Sequence, residues 1–262
     1  MSQPTFLNRQ SLHLRPDPAR VVVRPFPAIE PRDLKPTDKT RANHIVNRVL
    51  GLEPDAVEQQ LKEVLENFEG RHRNLLKIFE TRAAEMEDAL EPHAVLTKTQ
   101  RYLVGAYFLH ESSFEASALF NPSIVRHPDQ SGAPDGGCRF ILSLRAVGEG
   151  HISSLTFRSG SIAADGNVAI HPTARLASVP KITRRTARPD GDDIEVIFGP
   201  DEDLSERVIF PITDAQANGI EDAPFVEFED NGRKTFYATY TPYSGRGIRS
   251  ELLETTDFQL SA

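Results

Sequence analysis

A change of hydrophobic period near Glu111 constrains this chain more than any other feature of its sequence. Up to that point apolar residues recur every three or four positions, as on one face of a helix; beyond it they alternate, as on a pleated strand. Ile45, Val46, Val49 and Leu50 share one helical face, with Gly51 placed to stop it. Pro54 suits a first helical turn, and Val57, Leu61, Val64, Leu65 and Phe68 continue the stripe until Gly70 interrupts. Leu75, Phe79, Ala83, Met86 and Leu90 form a third run that ends at Pro92. Thr97-Lys98-Thr99-Gln100 has the form of a capping box opening a helix that buries Leu103, Val104, Tyr107 and Phe108. Residues from about 38 to 110 are thus expected to form a helical bundle or sheath. Ahead of them, Met1 to Arg20 is expected to be a loose arm, Val21 to Phe26 a short strand, and Pro27 to Pro36 an extended linker.

After Glu111, Arg139 to Arg145 and Ile152 to Phe157 fit strands. So do Phe225 to Phe228 and Thr235 to Tyr240, joined through the hairpin signal Asn231-Gly232. Residues 171 to 206, rich in Pro, Arg and Asp, give one strand at Ile194 to Phe198 and otherwise no clear pattern. A weak repeat aligns Phe120-Asn121-Pro122-Ser123-Ile124-Val125 with Glu221-Asp222-Ala223-Pro224-Phe225-Val226. In each a polar residue opens a short apolar strand, and a second strand follows that ends in a polar group, Arg145 in one and Thr241 in the other. Such a unit suits a propeller whose inner strands line a shared pocket, and it also suits many plain antiparallel sheets. The expected organisation is an arm and helical region over 1–110, then sheet over 111–262.

Composition narrows the partners. A net charge of −8 disfavours nucleic acid and anionic lipid, both polyanions, and is compatible with a neutral polar ligand such as a sugar. The single cysteine, Cys138, excludes an intramolecular disulfide and a cysteine-built metal site. The first twenty residues contain no apolar run long enough for a signal peptide or a membrane span, and a cytoplasmic location is expected.

Among chemistry-bearing residues, Glu221-Asp222 comes first. Neighbours on a strand point to opposite faces, so a single carboxylate, Asp222, is expected to face a pocket, which is not a two-carboxylate glycosidase pair. Held at a strand mouth and partly desolvated, Asp222 can serve as an acid; it equally fits a turn or cap. Arg145, Glu149 and His151 form a glycine-flanked charged cluster that suits ligand contact or an ordinary hairpin loop. The planar fork of Arg145 matches hydroxyls or phosphate. Asn121, before Pro122, offers an amide for a hydroxyl pair or an Asx-turn. Tyr237, Tyr240 and Tyr243 can stack on a sugar ring, or simply be core. Arg71-His72-Arg73 reads as a solvated or salt-bridged helix end rather than a ligand. His110 with Glu111, and His127 with Asp129, lack a third metal ligand at suitable spacing, and there is no phosphate-cradling glycine loop, nucleophile elbow or dinucleotide fingerprint.

A resemblance rests on these residues together. Its blocks are His110-Glu111-Ser112-Ser113-Phe114-Glu115-Ala116, Ala118 to Val125, His127 to Gly132, Ser143-Leu144-Arg145 with Gly148 to Ser154, and Ser205 to Pro211. Gly219-Ile220-Glu221-Asp222-Ala223 with Tyr237 to Thr241 completes them. In this order they resemble the β-mannoside phosphorylases and hydrolases of glycoside hydrolase family 130, from about Arg20 to Phe258. The resemblance implies a mixed fold, a helical N-terminal region followed by antiparallel blades of a five-bladed β-propeller with the active site on its axis. It implies inverting attack on a β-mannosidic bond by phosphate, or by water in some relatives. Asp222 matches the family's single acid, thought to pass its proton through a hydroxyl of the bound mannose. Asn121, Ser123, Arg145 and His151 match positions lining the sugar and phosphate pocket, and Tyr240 is placed with them. No metal or organic cofactor is implied; phosphate is a co-substrate.

The family chain is longer, so an incomplete propeller of two blades is expected, a truncated enzyme whose expected partners are a downstream-encoded remainder of the propeller or a second copy of the chain in a homo-oligomer. The alternatives are an inactive remnant that binds carbohydrate or a protein, and a β-mannoside hydrolase.

Overall fold

The computed structural model describes residues 9–30, 33, 35, 39–87, 95–188, 191–247 and 249–258. Residues 1–20 and 113–262 form one compact unit, and residues 21–112 the other.

The second unit is helical, with β1 (Val21–Pro25) and β2 (Leu109–Ser113) paired at its chain ends. Helix α1 (Arg41–Leu50) opens with a capping box: Asn43 N donates to Thr40 Oγ1 at 3.0 Å, and the Asn43 side chain accepts from Thr40 N at 2.9 Å. Gly51 closes it. Helix α2 (Pro54–Phe68) carries Pro54 in its first turn, and α3 (Leu75–Glu85) follows. Helix α4 (Lys98–Tyr107) has the expected box, Gln100 N to Thr97 Oγ1 at 3.2 Å and Thr97 N to Gln100 Oε1 at 3.0 Å. The expected faces supply one core of Val46, Val49, Val57, Leu103, Val104 and Phe108, whereas Tyr107, expected to be buried with them, is exposed. Each such side chain stabilises the unit by about 1.5–3 kcal/mol when fully buried. The third run ends earlier than its period suggested, at Glu85 with Met86 as cap; Leu90 and Pro92 lie outside the described residues. No helix among the described residues is long and apolar enough to cross a membrane.

The other unit is built of antiparallel sheet. Strands β3 (Ala118–Arg126), β4 (Cys138–Val147) and β5 (Ser153–Ile162) pair in sequence order. Further along β5, β6 (Val168–Ile170) takes one end and β9 (Val208–Ile209) the other. A second sheet centres on β12 (Arg233–Pro242), with β13 (Glu251–Thr255) beside it. β10 (Ile220–Glu221) and β11 (Phe225–Asp230) also pair with β12, in one continuous direction, as a single strand interrupted over 222–224. The Asn231-Gly232 turn holds both residues at positive φ, 50° and 79°, as the hairpin signal requires. Ile141, Leu155 and Phe157 of the first sheet join Phe225, Phe236 and Ala238 of the second in one core. Phe258 closes it, its ring centroid 4.9 Å from Phe236 and 5.0 Å from Phe225. Two strands, β7 (Lys181–Arg188) and β8 (Gly191–Ile197), form a separate ribbon in the stretch that gave only Ile194 to Phe198.

The N-terminal segment differs from a loose arm. Arg20 is fully buried in the sheet unit, and its guanidinium donates to Glu115 Oε1 at 2.6 Å. Met1 to Asn8 lie outside the described residues.

Candidate functional site

The aligned repeat has a structural counterpart in two matching kinks. In β3 the ladder with β4 slips between Phe120 and Ser123, placing one extra residue on β3. In the second sheet Glu221 pairs with Thr241 and Phe225 with Ala238, again leaving one extra residue on the first strand. Each bulge contains a residue in the left-handed region, Asn121 at φ 47° and Asp222 at φ 43°. Asn and Asp tolerate that conformation best among side-chain-bearing residues, because their short polar groups bond locally. The polar groups following each kink are also equivalent: Arg145 sits opposite Phe120, and Thr241 opposite Glu221.

The two kinks touch. Asn121 Nδ2 donates to Asp222 Oδ1. Arg145 NH2 donates to Glu221 Oε1 at 2.6 Å, and its NH1 lies 3.6 Å from Asp222 Oδ1. One guanidinium therefore serves both carboxylates. This corrects the expectation that adjacent carboxylates must diverge: the alternation holds only for extended residues, and the left-handed turn at Asp222 brings its side chain round to the side of Glu221. Serines fix the backbone that follows the kink. Phe225 N donates to Ser123 Oγ at 3.1 Å, and Ser143 Oγ donates to Ala223 O at 3.1 Å. At Gly219, just before β10, a Cβ would lie 2.5 Å from Ser153 Oγ, so only glycine lets this strand approach β5 so closely.

The six candidates fall into three groups. Asp222, Asn121 and Arg145 are brought together. Ser123 is in the same place but its oxygen is engaged by backbone, as a clamp. His151 and Tyr240 stand apart from this hydrogen-bonded cluster. His151, at φ 58° and exposed, ends the 3-10 turn Glu149–His151 between β4 and β5. Tyr240 belongs to the core, and its hydroxyl accepts from Gln216 Nε2 at 2.8 Å and donates to Glu251. Burial and the hydrogen bond to Glu251 push its hydroxyl well above the usual tyrosine range. Tyr240 points inward because it shares the Phe236-Ala238 face of β12, which is the core face.

Two participants escaped the sequence reading, Glu221 and Ser143. Alternation on an extended strand points Glu221 away from Asp222, and nothing local marks Ser143 as the partner of Ala223. Of the six non-glycine residues at positive φ among those described, three are Asn121, His151 and Asp222.

The site is open rather than enclosed. The Asp222 side chain is 48% exposed, Glu221 36% and Arg145 23%. Two carboxylates against one guanidinium give it a formal charge of −1. The chain matches no protein-family model, no curated protein and no solved structure.

Proposed function

We propose that the sheet unit is a glycoside-acting module of the β-mannoside phosphorylase and hydrolase type, with its two sheets as successive blades of a propeller-like array. The observation that carries this reading is the hydrogen bond between equivalent kinks, Asn121 of the first sheet and Asp222 of the second. A repeat that delivers one polar side chain per unit to a common point is how an axial site is assembled.

In this reading Asp222 is the proton donor to the glycosidic oxygen. The Asn121 amide fixes its carboxyl orientation, and Arg145 presents hydrogen-bond donors to hydroxyls beside it. Attack from the opposite face by phosphate breaks the C1–O bond of a β-mannoside with inversion and leaves α-mannose 1-phosphate. Water in place of phosphate leaves mannose. One observation favours water or plain carbohydrate binding for these residues: with Asp222 carrying the proton it donates, Glu221 already neutralises Arg145, so the cluster offers a phosphate dianion no net positive charge and leaves a neutral polyol unaffected.

The test is incubation of the chain with a β-1,4-mannobiose, with and without phosphate, and separation of mannose from mannose 1-phosphate. The phosphorylase reading expects mannose 1-phosphate only with phosphate; the hydrolase reading expects mannose in both. Asp222→Asn is expected to lower either rate by at least about a hundredfold. Cleavage unaltered by that change removes Asp222 as the acid. No cleavage, with saturable mannobiose binding by calorimetry, leaves a carbohydrate-binding module; neither cleavage nor binding discards the glycoside reading.

A further inference from the structure

We propose that the open edge of β7 is a docking edge for an acidic extended segment of another protein, which would add to the β7–β8 ribbon as a third strand. This inference is independent of the glycoside reading.

β7 pairs with β8 and with no other strand among the described residues. All eight of its residues are exposed. An edge strand of this length presents a row of unpaired N–H and C=O groups, which is a template for another strand. A two-stranded ribbon alone is marginal in water, so a third strand adds ladder bonds where the fold supplies few.

Charge selects the occupant. Lys181-Ile182-Thr183-Arg184-Arg185-Thr186-Ala187-Arg188 holds four cations and no acid. Pairing the β7 edges of two copies with each other would set cations against cations, which is unfavourable across a ladder. The edge already closed shows what β7 accepts. On β8, Glu195 bonds Arg184, Asp192 Oδ2 bonds Arg185 Nε at 2.5 Å, and Asp193 bonds Arg188. After these pairs form, Arg184, Arg185 and Arg188 remain 66%, 51% and 59% exposed. A guanidinium has five N–H donors, so each retains capacity for a second carboxylate. Ile182 and Ile197, 45% and 46% exposed at the base of the ribbon, offer apolar contact to a β-branched residue. The fitting partner resembles β8 itself: glutamates or aspartates interleaved with valine or isoleucine. Nucleic acid fits less well, because the three carboxylates of β8 are interleaved with the cations.

The experiment titrates the whole chain into a fluorescein-labelled nonapeptide alternating glutamate with valine, read by anisotropy. The same peptide N-methylated on alternate backbone amides keeps its charge and cannot extend a ladder. A labelled thymidine oligonucleotide is the third probe. Expected are saturable binding of the plain peptide, weakened from about 50 to about 300 mM salt, and at least about tenfold weaker binding of the N-methylated one. Arg185→Gln with Arg188→Gln should weaken the plain peptide by about threefold or more. Equal binding of both peptides, binding of the oligonucleotide as tight as the peptide, or no anisotropy change at millimolar protein would each overturn the proposal.

Discussion

Removing Glu115 should damage the sheet unit more than any exposed charge change. Its side chain is 0% exposed and bridges two arginines, Arg20 at 2.6 Å and Arg158 at 2.9 Å, which are themselves 2% and 4% exposed. Other groups help to hold these cations. Arg20 also donates to the Ser205 carbonyl and lies 5.0 Å from the Phe114 ring centroid, and Arg158 donates to Thr156 Oγ1 and Phe157 O, each at 2.9 Å. None of those partners carries charge. Burial pulls the Arg158 guanidinium below its ordinary range, and the Coulomb field of Glu115 pulls it back. Glu115→Ala would leave two buried cations with only the more distant field of Asp17 acting on Arg158, and breaking a buried pair from one side costs about 3–5 kcal/mol. In a unit of about 170 residues that corresponds to a fall in Tm of roughly 6–20 °C. The chain has no tryptophan, so urea and thermal unfolding are best followed by circular dichroism, with amide exchange in β4 and β5 assigning the loss to this unit. A second variant isolates the cause. Arg20→Met, Glu115→Leu and Arg158→Met together keep the volume and strand no charge, so the triple variant should lose less than Glu115→Ala alone. A loss below about 1 kcal/mol for Glu115→Ala, or a triple variant at least as damaged, refutes the charge argument.

Two further outcomes concern the helical unit. Burial holds the His72 ring below its ordinary value of 6.5, against the pull of Glu111, whose carboxylate it meets at 2.6 Å. The bonds from Arg71 and His72 keep Glu111 below its ordinary 4.5, against the opposing effect of burial. Both groups then bind fewer protons folded than unfolded, so the unit should lose stability as pH falls below about 6.5, and again below about 4.5. His72→Gln should flatten the first slope in pH-dependent urea midpoints, and an unchanged slope would show that another group titrates. Gly105 in α4 faces the α3 backbone so closely that a Cβ would lie 1.9 Å from Phe79 O. Gly105→Ala should therefore cost about 1–3 kcal/mol, although alanine is the better helix former, and a rise in Tm would mean that the two helices separate freely.

The helices were legible because their signals are local and mutually consistent. The Thr97–Gln100 box, Pro54 and Gly51 each act within one turn, and the stripes of α2 and α4 bury one face each. The strands that face the core were legible for the same reason: Phe236, Ala238 and Tyr240 alternate with Tyr237 and Thr239. β7 was not, because neither of its faces is buried and nothing imposes alternation on it. β9 and β10 are two residues long and exist only through partners distant in sequence. Arg20 was misread because a polar, proline-bearing stretch carries no hint that a carboxylate ninety-five positions away will bury its guanidinium.

The candidate site was half legible for a reason that bears on its chemistry. Residue types announced Asn121, Arg145 and Asp222, but the strand rule applied to Glu221-Asp222 assumed an extended backbone. A left-handed residue costs little for aspartate and reverses the rule's conclusion. Had Asp222 been extended, it and Glu221 would have faced apart, and Arg145 could have served only one of them. The kink therefore does two things at once: it aims Asp222 at Asn121, and it puts a second carboxylate on the same guanidinium. That second carboxylate already neutralises Arg145 when Asp222 carries the proton it donates. Phosphate, if it is the attacking group, must draw its positive counter-charge from outside these three residues, whereas a sugar needs none.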